Sequence, residues 1–195
     1  MRRLRLTLAA SGLTAGGLAT PAMSQGVDCG DAETPGVTSS GDYHLALPSV
    51  APKGIVMHLH GGGGRGRGLL NSGLAKAALE RGFIFVAPNG WHPENRWQRD
   101  WSVKASNYSH NRDDKLFLAE VMADVRARTG LDEGMVLLAG FSRGGSMVWD
   151  MACQVPDFAD AYAPLAGAFW DDLPETCGPG APVPHPWLER PHCPS

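Results

Sequence analysis

Apolar and polar positions alternate along this chain in blocks whose lengths separate strands from helices. Ile55-Val56-Met57-His58-Leu59-His60 is a β-branched, apolar run of strand length that leaves the Pro52-Lys53-Gly54 turn and stops at a glycine run. Phe83-Ile84-Phe85-Val86-Ala87 is an uninterrupted apolar run, the pattern of a strand covered on both faces of a parallel sheet. Met135 to Ala139 and Tyr162 to Ala166 read as further strands, and Tyr43 to Leu47 as an edge strand ending at Pro48. Leu69 to Arg81 has the Leu and Ala spacing of a helix, which Gly82 ends. The clearest helix opens at Asp113-Asp114, with Phe117, Leu118, Val121, Met122 and Val125 at helical spacing. Acids lie in its first turn, Arg126 and Arg128 in its last, and Gly130 follows as a C-cap. Gly140 to Gly145 reads as a turn and Ser146 to Cys153 as another helix. This alternation predicts an α/β fold with a doubly wound, mostly parallel sheet.

Both ends break the pattern. Basic MRRLR, the apolar stretch LTLAASGLTAGGLA and then Ala22 and Ser24 before a cleavage point read as a signal peptide over residues 1–24. The apolar stretch is shorter than the roughly 20 residues that span a bilayer. The protein is therefore expected to be secreted, to the periplasm or the outside, with no membrane attachment after cleavage. From Gly178 to Ser195, six of 18 residues are proline, which neither a helix nor a central strand tolerates. The expected organisation is a leader at 1–24, a partial α/β domain at 25–177 and an irregular tail at 178–195.

Composition adds compartment and charge. At 195 residues and 43% hydrophobic, the chain has material for one domain with a real core. Its 17 basic residues, less Arg2, Arg3 and Arg5 of the leader, leave 14 against 20 acids, a charge near −6. That balance provides no electrostatic reason to expect nucleic acid. Cys29, Cys153, Cys177 and Cys193 fit an oxidising compartment and match no zinc spacing; a Cys153–Cys177 disulfide is the expected pairing.

The chemistry centres on Gly140-Phe141-Ser142-Arg143-Gly144, a G-x-S-x-G sequence between an apolar strand and a helical stretch. In that context the serine occupies a strained bend at the sheet's C-terminal edge. The backbone N–H of Arg143 is then available to a developing oxyanion. His60-Gly61-Gly62-Gly63-Gly64 follows an earlier strand, where a second oxyanion donor is expected, from Gly62 first and Gly61 or Gly63 otherwise. Gly61, Gly63 and Gly66 also satisfy a dinucleotide fingerprint, but Ala87-Pro88-Asn89 ends the next strand with no acid for a ribose, so no cofactor is expected. His58 and His60 on one strand are read as structural rather than as metal ligands. Trp91, Trp97 and Trp101 lie in a polar loop after a strand's C-terminal end; their rings either line a substrate-binding wall or fold inward over the sheet.

PKGIVMHLHGGGGRG, FVAPNG, the DD-initiated helix, GFSRGGSM and FADAYAPLAGAFW together resemble the polyhydroxybutyrate depolymerase-like branch of the α/β-hydrolases, which is similar to the feruloyl and acetyl-xylan esterases. The likeness covers roughly residues 28 to 177. It implies Ser142 as nucleophile, the Arg143 N–H and the Gly61/Gly62 region as oxyanion hole, and a carboxylic ester, polymeric or oligomeric, as substrate.

The resemblance also implies two later strands, one ending in a triad Asp and one followed by a triad His. Only 53 residues follow Ser142 here, and His185-Pro186-Trp187-Leu188-Glu189 stands where an H-G-x-x-D segment is implied. A truncated or frameshifted gene, or a fragment of a longer assembly, is expected. His185 and His192 are read as solvated tail residues, and Asp171, Asp172 and Glu175 as a surface turn, so acid and base stay unassigned. The leading expectation is an exported serine esterase, impaired in this chain by its missing triad partners. The rivals are a non-catalytic ester- or polymer-binding remnant using the tryptophan loop, and an unstable product with an open sheet edge.

Overall fold

The computed structural model describes residues 36–91, 98–103, 112–168 and 177. Among them the chain forms β1 (Gly36–Val37), β2 (Asp42–Ala46), β3 (Gly54–Leu59), the single-turn α1 (Gly66–Leu69), α2 (Gly73–Glu80) and β4 (Ile84–Pro88). Then follow α3 (Asp114–Thr129), β5 (Met135–Phe141), α4 (Arg143–Gln154), a 3-10 turn (Pro156–Phe158) and β6 (Ala161–Leu165). The described strands make one sheet in the order β1-β2-β4-β3-β5-β6. β4, β3, β5 and β6 run parallel, and β2 is antiparallel to β4 and to β1. The doubly wound, mostly parallel α/β fold is thus present.

Strand alternation sorts the core into two layers. Ile55, Met57 and Leu59 of β3, with Ile84 and Val86 of β4, pack on Phe117, Val121 and Val125 of α3 and on Met147, Val148 and Met151 of α4. The intervening Val56 and Phe85 face Ala75 and Ala78 of α2 and the leucines of α1 and α2. The sheet is therefore covered on both faces, which is why β3 and β4 read as continuous apolar runs.

Three sequence expectations shift. Tyr43 to Leu47 is not an edge strand, because β1 pairs beyond β2. The helix over 69–81 is divided: Ser72 accepts the Ala75 N–H at 3.1 Å and so caps a separate α2. The Gly140 to Gly145 turn shrinks to a single residue, since β5 runs to Phe141 and α4 starts at Arg143. The glycines there serve close packing, not a loop. By contrast α3 begins and ends as expected, with Asp113 accepting the Lys115 N–H and Gly130 in the left-handed region at φ 67°.

The placement of β3 decides where a ligand can bind. The chain passes from β3 to β4 on one side and then returns to lay β5 on the other, so winding reverses between β3 and β5. In sheets of this kind the crevice lies beyond the carboxyl ends of the strands at that reversal. Leu59 at the end of β3 pairs with Gly140 near the end of β5, which brings the His60–Gly64 loop and Ser142 to one crevice.

Candidate active site

Ser142 stands alone between strand and helix. Its backbone is at φ 53° and ψ −117°, a region that costs a residue with a Cβ on the order of 1–3 kcal/mol. The surroundings hold it there. Its N–H donates to Leu165 O at 2.8 Å, tying the bend to β6, and its carbonyl accepts the Ser146 N–H at 2.9 Å, starting α4. A Cβ on Gly140 would collide with the Gly144 backbone, and one on Gly144 would lie 2.6 Å from His60 O. Strand, helix and glycine loop can meet at this distance only because both positions lack side chains. The Ser142 side chain is half-buried and is not used to cap α4.

The glycine loop closes on the serine from the other side. A Cβ on Gly61 would lie 3.4 Å from Ser142 Cβ, and one on Gly62 would lie 3.2 Å from Arg143 Cγ. Gly63 N–H is spent on Arg99 O at 2.7 Å and Gly64 N–H on Gly61 O at 2.9 Å. Neither is available to a ligand. The N–H groups of Gly62 and of Arg143, the first residue of α4, have no acceptor among the described residues. The Gly61 N–H likewise shows none, so free donors on the loop and on the helix flank the Ser142 bend, with the positive end of α4 beneath them.

His60 is structural. Its Nε2 accepts the Gly90 N–H at 2.9 Å, so the proton sits on Nδ1, which donates to Gly61 O at 2.7 Å. Burial pushes its pKa down to about 4, keeping it neutral, and both nitrogens are occupied. It cannot take the serine proton. His58 lies in the layer under α2, edge-on to Phe85 at 6.1 Å, and both its ring nitrogens are buried without a partner. Burial lowers its pKa as well.

Of the two readings of the tryptophan loop, Trp101 takes the inward one. Trp101 is fully buried at 0% exposure, and its indole N–H donates to His60 O at 2.7 Å. The ring folds inward under the glycine loop because its one polar atom finds an acceptor there. Trp91 is half-buried and bridges to Asp100, while Trp97 lies outside the described residues. The leader at 1–24, the tail at 178–195, His185, His192, Asp171, Asp172 and Glu175 lie outside them too. Cys153 of α4 is joined to Cys177, as expected.

Sequence reasoning missed the polar frame behind the loop. Asp100 is buried and accepts Arg143 Nη1 at 2.6 Å and the Trp101 N–H at 2.9 Å. Asn89 accepts the Gly66 N–H at 2.8 Å and donates to Asp42 at 2.7 Å, fixing the start of α1. The buried Asp114 carboxylate pairs with Arg112 Nε at 2.7 Å and accepts the Ser102 N–H at 2.6 Å, docking the 98–103 segment onto α3. The signal available in the sequence was the density of Asp, Asn and Arg in a stretch too polar to be core.

Sheet order, winding reversal, strained serine and opposed glycine loop define the α/β-hydrolase fold. Three-dimensional comparison agrees. The chain is similar to S-formylglutathione hydrolase from Staphylococcus aureus (TM-score 0.54, 18% identity, covering 69% of this chain and 56% of that one). It is also similar to fluorophosphonate-binding serine hydrolase F of Staphylococcus aureus (0.55, 17%, 75% and 64%) and to acetyl xylan esterase from Aspergillus awamori (0.51, 19%, 70% and 53%). The chain thus spans less than two thirds of each of these structures. No family model and no curated protein matches the sequence.

Proposed function

We propose that the chain carries the nucleophile and oxyanion hole of an exported serine esterase. The observation that carries this is the strained Ser142 bend, held at φ 53° between a glycine loop and a helix start, with unused N–H groups on Gly62 and Arg143. Strain of this kind at a ligand crevice is stored for a purpose that folding alone does not require. In the reaction, Ser142 Oγ attacks an ester carbonyl carbon and its proton passes to a base. The carbonyl oxygen becomes an oxyanion held by the two N–H groups. The alkoxide leaves with that proton, and water then hydrolyses the acyl-serine by the same steps in reverse.

The sequence resemblance supports a polyhydroxyalkanoate or related polyester or oligoester as substrate, and the leader supports export. His60 is excluded as the base by its two hydrogen bonds. The base is therefore a group other than His60, and the expectation of weak turnover rests on the sequence resemblance, which leaves the triad Asp and His unassigned. Inward packing of Trp101 leaves the polymer-binding remnant with less support than the esterase reading.

The test is labelling of the full chain with a fluorophosphonate probe alongside hydrolysis of p-nitrophenyl butyrate. Label on Ser142, lost in Ser142→Ala, is expected. Hydrolysis that survives Ser142→Ala would overturn the assignment. If His185→Ala or His192→Ala abolishes hydrolysis while leaving the fold intact, the base lies in the tail and the claim of impairment is wrong.

A further inference from the structure

The residue after Ser142 has a long side chain whose guanidinium is bound to a buried carboxylate. Arg143 Nη1 donates to Asp100 Oδ2 at 2.6 Å, and Asp100 is 2% exposed. The other carboxylate oxygen accepts the Trp101 N–H at 2.9 Å. The two neighbours of Asp100 in sequence both hold the glycine loop: Arg99 O accepts the Gly63 N–H at 2.7 Å, and Trp101 Nε1 donates to His60 O at 2.7 Å. Three consecutive residues thus bond to both segments that present the free N–H groups. No described bond joins Gly62 to Arg143 directly; their common support is the 99–101 segment.

We propose that Asp100 is a positioning residue that sets the two halves of the oxyanion hole against each other. This rests on the reading of Ser142 and its flanking N–H groups given above. Two donors stabilise an oxyanion only if both converge on one point about 3 Å away, and one of them rides on a helix while the other rides on a loop. A buried carboxylate bonded to Arg143, within a segment bonded to the loop, couples these two bodies. Charge-assisted bonds of this length are stiff, and the guanidinium of Arg143 supplies the cation that this one needs. The same pairing draws the guanidinium toward the loop, so the cation does not stand free in the crevice as a site for an anionic substrate.

The experiment compares Asp100→Ala, Asp100→Asn, Arg143→Ala and Arg143→Lys in the full chain by amide hydrogen exchange and by the rate of fluorophosphonate labelling. Asp100→Ala is expected to speed exchange in both residues 60–66 and residues 142–147, with the centre of α3 unchanged. Labelling should slow about 10- to 100-fold, less than the roughly 100- to 1,000-fold expected for outright loss of a donor. Arg143→Lys, which keeps a cation for Asp100, should restore part of the protection lost in Arg143→Ala. Should Asp100→Ala fail to fold, the two arginine variants and Asp100→Asn carry the same test. Exchange that rises only in residues 142–147, or in neither segment, would overturn the proposal. A wild-type chain that takes no label while both segments respond as expected would sink the nucleophile reading instead, and would support the coupling of the two segments.

Discussion

Gly144 of α4 lies so close to the end of β3 that a Cβ on it would stand 2.6 Å from the carbonyl oxygen of His60. That oxygen is also the acceptor of the Trp101 indole, so it cannot yield without breaking a buried bond. Gly144→Ala is therefore expected to destabilise the fold by about 3 kcal/mol, at the upper end of overpacking costs, as measured by urea denaturation. Gly61→Ala meets Phe141 Cδ1 at 3.3 Å, a contact that exposed ring can relieve, and Ser142 Cβ at 3.4 Å, and should fold nearly normally while crowding the serine. A Gly144→Ala protein as stable as wild type would show that α4 can move off β3 far enough to admit a methyl group at no cost.

Trp101→Phe keeps a buried aromatic ring but removes the donor to His60 O and leaves part of the indole's volume unfilled. An unsatisfied buried carbonyl costs about 1–3 kcal/mol, and the loss should register as a lower denaturation midpoint with an unchanged slope. An exposed, substrate-contacting Trp101 would instead give unchanged stability and a raised KM.

Two buried groups pull pH dependence in opposite directions. His60, with its pKa lowered to about 4 by burial, contributes stability above its unfolded pKa of about 6.5 that is lost as pH falls toward 4. Asp150 is raised to about 7 by burial, with Lys115 opposing. Its contribution is full below an unfolded pKa near 3.9 and is lost as pH rises through 7. Between about pH 4 and 6.5 the two offset each other. Asp150→Asn should therefore steepen the acid loss of stability and raise stability at pH 8, read from thermal melts across that range. A melting profile unaltered by Asp150→Asn at every pH would show that this carboxylate is hydrated.

The Cys153–Cys177 bond closes a loop with a sequence separation of 24. On the chain-entropy account its removal costs about 3 kcal/mol. Dithiothreitol, or the paired change Cys153→Ser and Cys177→Ser, should lower the denaturation midpoint accordingly. An unchanged midpoint on reduction would mean that the cross-link adds no stability.

Much of the site's architecture was legible because it depends on local rules. The apolar runs of β3, β4 and β5 and the capped helix α3 follow from periodicity, and the G-x-S-x-G sequence between strand and helix marks the bend at Ser142. Other features were ambiguous for equally physical reasons. Glycines 140, 144 and 145 look like a flexible turn in sequence, since nothing local distinguishes a glycine that bends from one that admits a neighbouring backbone. Trp101 could face a ligand or the core, and only the position of His60 O decided for the core.

The sequence by itself determined the strand runs of β3, β4 and β5, the helix α3 and which serine occupies the bend, because those depend on residues within a few positions of one another. The tertiary structure alone decided that Gly62 rather than Gly63 keeps a free N–H, that His60 is locked as a neutral support, and that Asp100 spans the gap to Arg143. These depend on partners tens of residues away in the chain. A hydrogen bond's direction and a carboxylate's partner are set by which segments the sheet's winding brings together, and that information is not carried by any one stretch of sequence.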